Sequence, residues 1–255
     1  MISVKSKAEL EMMRRAGAIA AAAHEKLKEA AKPGVTTLEL DRIAEEFIRS
    51  KGAVPSFKGY KGMAGAADYP ASICVSLNNE VVHGIPGLRV LKDGDIISID
   101  IGVYLNGFHA DMARTRYVGN ISENAMRLIT VTRRSFYKGM ENALAGKRIM
   151  DISAAIQDYV EENGFSVVRE YVGHGIGRTM HESPQIPNYR TRERGPRLEP
   201  GMTLAIEPMV NEGGYGVRLL ENKWTVVTMD GSLSAHYENT IAVTDGEPII
   251  LTKLV

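Results

Sequence analysis

The chain has 255 residues, 44% apolar and 24% charged, and its 31 basic and 31 acidic side chains leave no formal net charge. A lone cysteine, Cys74, excludes a disulfide scaffold and a zinc site built on thiolates. Balanced charge speaks against a generic nucleic-acid or membrane binder. What remains is a globular chain long enough to bury a large core, in which any metal must rely on histidine and carboxylate.

The opening residues MISVKSKAELEMMRR lack the apolar segment of a signal peptide, and no run approaches the ~18 apolar residues of a membrane helix. The expectation is a cytoplasmic protein. Ser6 and Glu9 have capping-box spacing. Leu10, Met13, Gly17, Ala20, Ala23 and Leu27 then recur at helical spacing until Pro33-Gly34 stops the helix. Thr36 and Glu39 start a second helix, which runs to about Ser50. Strands are expected over 71–77, 94–103 and 108–118, the last two joined by Asn106-Gly107, a strong signal for a two-residue hairpin turn.

A second block follows. Ser122 caps a helix that is expected to end at Gly146, and Asp151 begins another that ends near Asn163-Gly164. Strands are expected over 165–168, 202–210, 215–220, 224–227, 236–243 and 247–251. Each block reads helix, helix, strands, with no low-complexity linker between them. That order predicts one α+β domain over 1–255, with similar halves of about 1–120 and 121–255 on a largely antiparallel sheet. The arginine-rich stretch 189–197 reads as a solvated loop, or more sharply as a contact for an acidic surface such as RNA.

The hairpin has a consequence for chemistry. If Asn106-Gly107 is a two-residue turn, Leu105 faces Phe108, Gly102 lies opposite Asp111 and Asp100 lies opposite Ala113. Asp100 and Asp111 then share a face as diagonal neighbours, ~7–8 Å apart at the backbone, while Ile99 and Ile101 take the other face. On the hairpin alone, the pair reads either as two solvated aspartates or as a cation site. Like charges converging in low dielectric cannot both ionise cheaply without a cation. An odd shift in the turn would separate them.

Further residues bear on that choice. His174 lies among glycines in Gly173-His174-Gly175-Ile176-Gly177, and His181 follows in Met180-His181-Glu182. Glu207 and Glu238 place carboxylates in apolar strands, where a lone glutamate usually faces solvent. Together Asp100, Asp111, His174, Glu207 and Glu238 form an oxygen-rich set with one imidazole. Such a set suits a pair of divalent ions such as Mn, Fe, Co or Zn, bridged at ~3.5–4 Å as in two-metal hydrolases.

In order and context these five residues resemble the metal-binding set of methionine aminopeptidases. Val81-Val82-His83-Gly84-Ile85-Pro86, Gly107-Phe108-His109-Ala110-Asp111, the glycine-flanked His174 and Ile206-Glu207-Pro208-Met209 look like that family's signature segments. Prolidases and Xaa-Pro aminopeptidases share the five ligands, so they give the rival enzyme reading, and a non-catalytic binding protein of the same fold gives a third. The short separation of Glu207 from Glu238 leaves no room for the helical insertion of type II enzymes, and the chain opens directly on its first helix, so it looks most like a compact bacterial type I enzyme.

The resemblance implies the "pita-bread" fold, two pseudo-twofold halves around a curved sheet with helices outside. It implies two divalent metals, bridged by Asp111 and Glu238, with Asp100 on one and His174 and Glu207 on the other. Glu207 would also be general base, His181 would stabilise the oxyanion and His83 would assist the leaving amine. Tyr69, Cys74, Met180 and Trp224 would line the methionine pocket. Relatives often have an aromatic where this chain has Met180, and another three residues before Tyr69, where it has Ala66. Asn78, Glu80 and Ser234 align with a monovalent-cation site. The implied substrates are peptides and nascent chains with an N-terminal methionine and a small second residue. Ribosome contact through the arginine loop is a further implication, and the oligomeric state is expected to be a monomer.

Overall fold

In the computed structural model, described over residues 2–62 and 65–254, α1 (Lys7–Ala30) begins at the predicted capping box. The Ser6 hydroxyl accepts from the Glu9 amide, and the Glu9 carboxylate accepts from the Ser6 amide. Met13, Gly17, Ala20, Ala23 and Leu27 form its buried stripe. Gly17 is required by contact, since a Cβ there would lie 2.3 Å from the Leu251 carbonyl oxygen. The second helix, α2 (Thr37–Ser50), is capped by Thr36.

The strands of the first block are β1 (Val54–Pro55), β2 (Cys74–Leu77), β3 (Glu80–Val82), β4 (Ile96–Leu105) and β5 (Phe108–Tyr117). The β4–β5 register is the predicted one throughout, with Leu105 opposite Phe108, Gly102 opposite Asp111 and Asp100 opposite Ala113. Asn106 and Gly107 both have positive φ, 50° and 87°, as a type I′ turn demands.

Two expectations for the helices of the second block are corrected. The third helix, α3 (Glu123–Met140), ends well before Gly146. The Asn142 side chain donates to the Lys138 carbonyl and the chain turns, burying Ala143. The fourth, α4 (Ile149–Glu162), starts before Asp151, which lies in its first turn and accepts from the Arg148 amide at 2.8 Å.

The remaining strands are β6 (Ser166–Val167), β7 (Gly173–Gly175), β8 (Glu182–Ile186), β9 (Thr203–Ile206), β10 (Met209–Asn211), β11 (Val217–Leu219), β12 (Val226–Thr228), β13 (Ser234–His236), β14 (Asn239–Ala242) and β15 (Ile249–Ile250). Of these β7 and β8 were not foreseen, because their glycines and Pro184 hide strand periodicity. Two long strands expected over 202–210 and 236–243 are each broken, between β9 and β10 and between β13 and β14. Every strand pairing among the described residues is antiparallel.

The helices cover one side of the sheets through two apolar cores. One joins Ala20, Leu27, Leu40 and Ile48 to Ile97, Ile99 and Ile101. The other joins Leu128, Phe136, Ile152 and Ile156 to Leu204, Ile206 and Ile241. Burial of these side chains, at roughly 1.5–3 kcal/mol each, fixes which sheet face turns away from the helices, and that face carries the polar residues.

Candidate metal centre

The type I′ turn sets Asp100 and Asp111 on one face, and fully buried Ile99 and Ile101 hold the opposite face against α1. The Thr240 hydroxyl lies 2.9 Å from both the Asp111 amide and its carbonyl, tying β5 to β14. Glu207 and Glu238 occupy the two strand breaks. Pro208 has no N–H to give the ladder, so the pairing is interrupted there. The register nonetheless continues across the gap, with Ile206 opposite Asn239 and Met209 opposite His236. Glu207 and Glu238 therefore stand opposite one another where two sheets part. His174 enters on β7, beside Ala205 of β9.

The structure thus brings all five predicted residues into one cluster. Donor atoms of Asp111, His174 and Glu238 lie within 4.8 Å of one another, and so do those of Glu207, His236 and Glu238. Nδ1 of His174 donates to the Gly175 carbonyl at 2.8 Å, so its neutral ring directs a lone pair at Nε2 into the cluster, 3.6 Å from Glu207. Asp100 Oδ1, Asp111 Oδ1 and Glu238 Oε1 are buried without any hydrogen-bond partner.

Burial raises the pKa of Asp111 to about 7. It pushes Asp100, Glu207 and Glu238 well above the usual range, with the neighbouring carboxylates adding to the rise. Burial also depresses His174 to about 3 and His236 to about 3. Crowded acids that resist ionisation, beside imidazoles that resist protonation, leave orphaned oxygens and a free nitrogen lone pair. That donor set fits divalent cations.

Two cavities flank the cluster. The first, about 120 Å³, is walled by Phe57, Tyr60, Tyr69, Cys74 and Trp224 and reaches His83, His181 and the acids. Tyr69 is anchored by its hydroxyl to the Gly84 carbonyl at 2.8 Å and packs edge-on against Trp224. Burial pushes the Cys74 thiol well up, so it is a neutral wall. Met180 does not line this cavity but packs with Met13, Phe108 and Ile176. Phe57 and Tyr60 take the aromatic positions instead. Tyr60 was missed because it is distant from Tyr69 in sequence, and the Tyr69 amide donating to the Tyr60 carbonyl at 2.9 Å brings the two together. The family resemblance points instead to position 66, which is Ala66 here and does not line the cavity.

The second cavity, about 110 Å³, shares His83, Asp100, His174, His181 and Glu207 and adds Val82, Tyr171, Met209 and His236. His236, given no role by sequence, places Nε2 3.7 Å from Glu207 and 4.0 Å from Glu238. Only the strand-break register, a long-range feature, brings it there.

His83 adopts a positive φ of 58°, unusual for a residue with a Cβ and frequent where a side chain is aimed at a site. Burial lowers its pKa to about 4 and lowers that of His181, so both are neutral near pH 7. The Tyr60 hydroxyl lies 2.6 Å from Nδ1 of His181. His109 pairs with the Ser56 hydroxyl, and His24 lies buried on α1 against the Met112 carbonyl.

At the expected monovalent-cation site, the Asn78 carbonyl accepts from the Ser234 amide. The Glu80 carboxylate is engaged by Arg89 at 2.6 Å and by the Leu77 amide. In the arginine loop, Arg190 pairs with Asp158, Arg194 lies 3.7 Å from Asp151, and Arg197 donates to the Gly146 carbonyl.

A buried histidine–carboxylate cluster between two small cavities defines a metal-dependent hydrolase, and residues 11–245 match metallopeptidase family M24, to which the chain belongs. A methionine aminopeptidase of Clostridium perfringens is 59% identical over 254 residues, covering 100% of both chains. A solved methionine aminopeptidase from Thermotoga maritima is 44% identical, with a TM-score of 0.95, covering 99% of this chain and 100% of that one. A solved Xaa-Pro dipeptidase from Bacillus anthracis is 26% identical, with a TM-score of 0.78, and the match covers 99% of this chain but 62% of that one. The fold is accordingly the pita-bread fold, and membership in a metallopeptidase family makes divalent metal part of the enzyme.

Proposed function

We propose that the protein is a methionine aminopeptidase that hydrolyses the bond after an N-terminal methionine, working as a monomer with a single catalytic domain over 1–255. The observation that carries this reading is the pairing of the acidic cluster with a small, aromatic and thiol-walled cavity beside it. That cavity suits an unbranched thioether, for which Trp224, Tyr69 and Phe57 offer polarisable walls. The high identity to methionine aminopeptidases over the whole chain supports it against the Xaa-Pro alternative.

Asp100, Asp111, His174, Glu207 and Glu238 would hold two divalent ions. When bound, such a pair supplies Lewis acidity to the scissile carbonyl and acidifies water. Glu207, its side chain 13% exposed at the cluster edge, would take the proton of the attacking water. Burial keeps the Tyr60 phenol protonated, so it would donate to Nδ1 of His181. The His181 proton then sits on Nε2, where it can donate to the carbonyl oxygen as charge develops. His83 would hydrogen-bond the departing nitrogen. The second cavity has room for a small following side chain and is closed by Tyr171 and Met209, which favours glycine, alanine or serine there.

A monovalent cation near Asn78, Glu80 and Ser234 would rely on backbone oxygens, because the Glu80 carboxylate is occupied. The substrates would be nascent chains in the cytoplasm. For a ribosome contact, Arg192 and Arg197 are the arginines of the loop that form no ion pair among the described residues, and Arg197 is held by the Gly146 carbonyl. The deciding experiment is a peptide panel with metal-stripped enzyme reloaded with Co or Mn. Met-Ala-Ser should be cleaved after methionine, Met-Leu-Ser slowly, and a peptide with proline second and a non-methionine first residue not at all. Intact Met-Ala-Ser would refute the reading.

A further inference from the structure

A groove runs between α1 and α3 and is floored by the end of β5, where residues from both faces of the strand reach it. It consists of two contiguous cavities of about 450 and 220 Å³ that share Thr115, Arg116, Ile129 and Arg133. Strand alternation explains its charge. Arg114 and Arg116 point to the helix side because Asp111 points to the other. Arg114 is already engaged, donating to the Glu238 carbonyl and the Asn239 side chain. Lys28 from α1 and Arg133 and Arg134 from α3 complete the cationic wall.

Glu25 is the single acid on that wall, 3.5 Å from Lys28 and 3.3 Å from Arg116. Arg133 and Arg134 join no ion pair among the described residues, and Arg116 Nε is buried without a partner. Lys28, Arg114, Arg116, Arg133 and Arg134 against Glu25 leave an excess of four positive charges, in a chain whose net charge is zero. A cleft lined by one sign of charge focuses potential on a counter-ion, and guanidinium groups match phosphate oxygens bidentately. The rim is apolar and open, with Tyr117 55% exposed beside Met126.

We propose that this groove binds a nucleotide carrying two or more phosphates, its phosphates among Arg116, Arg133 and Arg134 and its base against Tyr117. The charge excess matches a diphosphate rather than a single phosphate. The larger cavity extends past the arginines to the aromatic rim, which a bare polyphosphate would leave unfilled. The smaller cavity also touches His236 and Tyr237, but the proposed contacts use neither the five clustered residues nor the methionine pocket.

Calorimetry of the metal-loaded enzyme with ADP, pyrophosphate and adenosine tests this. ADP should bind once per chain, pyrophosphate about tenfold more weakly, and adenosine not measurably. Arg133→Gln with Arg134→Gln should weaken ADP by about tenfold or more while cleavage of Met-Ala-Ser is retained, which reports an intact fold. Tyr117→Ala should bring ADP down to the affinity of pyrophosphate and leave pyrophosphate unchanged. Unaltered ADP binding in the double arginine variant would place the nucleotide elsewhere, such as the metals, and overturn the proposal. Equal wild-type affinities for ADP and pyrophosphate would overturn the nucleotide assignment. No binding at ~1 mM of either would remove the site altogether.

Discussion

The Tyr60–His181 contact shows how one phenol hydroxyl can set the chemistry of a neighbour. Neutral imidazole has one N–H, and whichever nitrogen carries it decides whether the ring can donate to substrate. A phenol at 2.6 Å from Nδ1, kept protonated by burial, directs that proton to Nε2. Tyr60→Phe keeps the ring and its edge-on packing on His181 but frees Nδ1. Turnover of Met-Ala-Ser should fall by about tenfold with KM little changed, the loss of a group that acts on the transition state. The melting transition should move by less than about 0.5 kcal/mol. A matching fall in stability would mean that the hydroxyl is structural. Glu207→Gln, nearly isosteric, should cost about 10²–10⁴-fold in turnover and weaken metal binding in calorimetry. Full activity in that variant would end its assignment as base.

Among elements, the β4–β5 hairpin carries the tightest link between sequence and site. The turn φ angles of 50° at Asn106 and 87° at Gly107 are local, and they alone set the register that pairs Asp100 with Asp111 on one face. Gly107→Val would force a β-branched residue into the left-handed region, at a cost of about 1–2 kcal/mol or more. A melt should show that loss, and metal affinity should fall with it as Asp111 is displaced. Wild-type metal affinity in a destabilised variant would show that the register is held from elsewhere, for example by Thr240.

Such local determinants are why the hairpin with its aspartate pair and the caps of α1 and α2 were legible in the sequence, whereas His174, Glu207 and Glu238 joined that pair through the family resemblance. The opposition of Glu207 and Glu238 across two broken strands was not legible, since Pro208 hints at a break but not at its partner. Tyr60 and Met180 escaped for the same reason. One is joined to Tyr69 by a backbone hydrogen bond that the spacing does not reveal, and the other is drawn into a core with Met13 and Ile176 that no periodicity announces.

Taken as a whole, the molecule buries more ionisable groups in one place than it can keep charged. Without metal, Asp111 titrates near 7 rather than 3.8, and Asp100, Glu207 and Glu238 are raised well above their usual range. His174 and His236 are depressed to about 3 and His83 to about 4, from 6.5. These two sets act in opposite directions on folding. A depressed histidine binds fewer protons folded than unfolded, so its contribution is fully present above pH 6.5 and fades as pH falls towards 3 or 4. A raised carboxyl binds more protons folded than unfolded, so its contribution is present below about 4 and fades as pH rises through its folded value.

Below 6.5 the two slopes compete. Burial also depresses His24, His109 and His181, so six histidines outweigh the four carboxyls of the cluster and stability rises with pH. Above 6.5 the histidines are neutral in both states and only the carboxyls still titrate. Metal-free protein should therefore be most stable near pH 6.5–7 and lose more than ~1 kcal/mol by pH 8.5, a fall of at least about 2–4 °C in Tm for a chain of this size. Bound cations replace the protons on the carboxyls, so the metal-loaded protein should show no such fall. Metal addition at pH 7.5 should release protons, seen as a buffer-dependent heat. Parallel Tm–pH curves with and without metal would show that the acidic cluster is not where the cations bind.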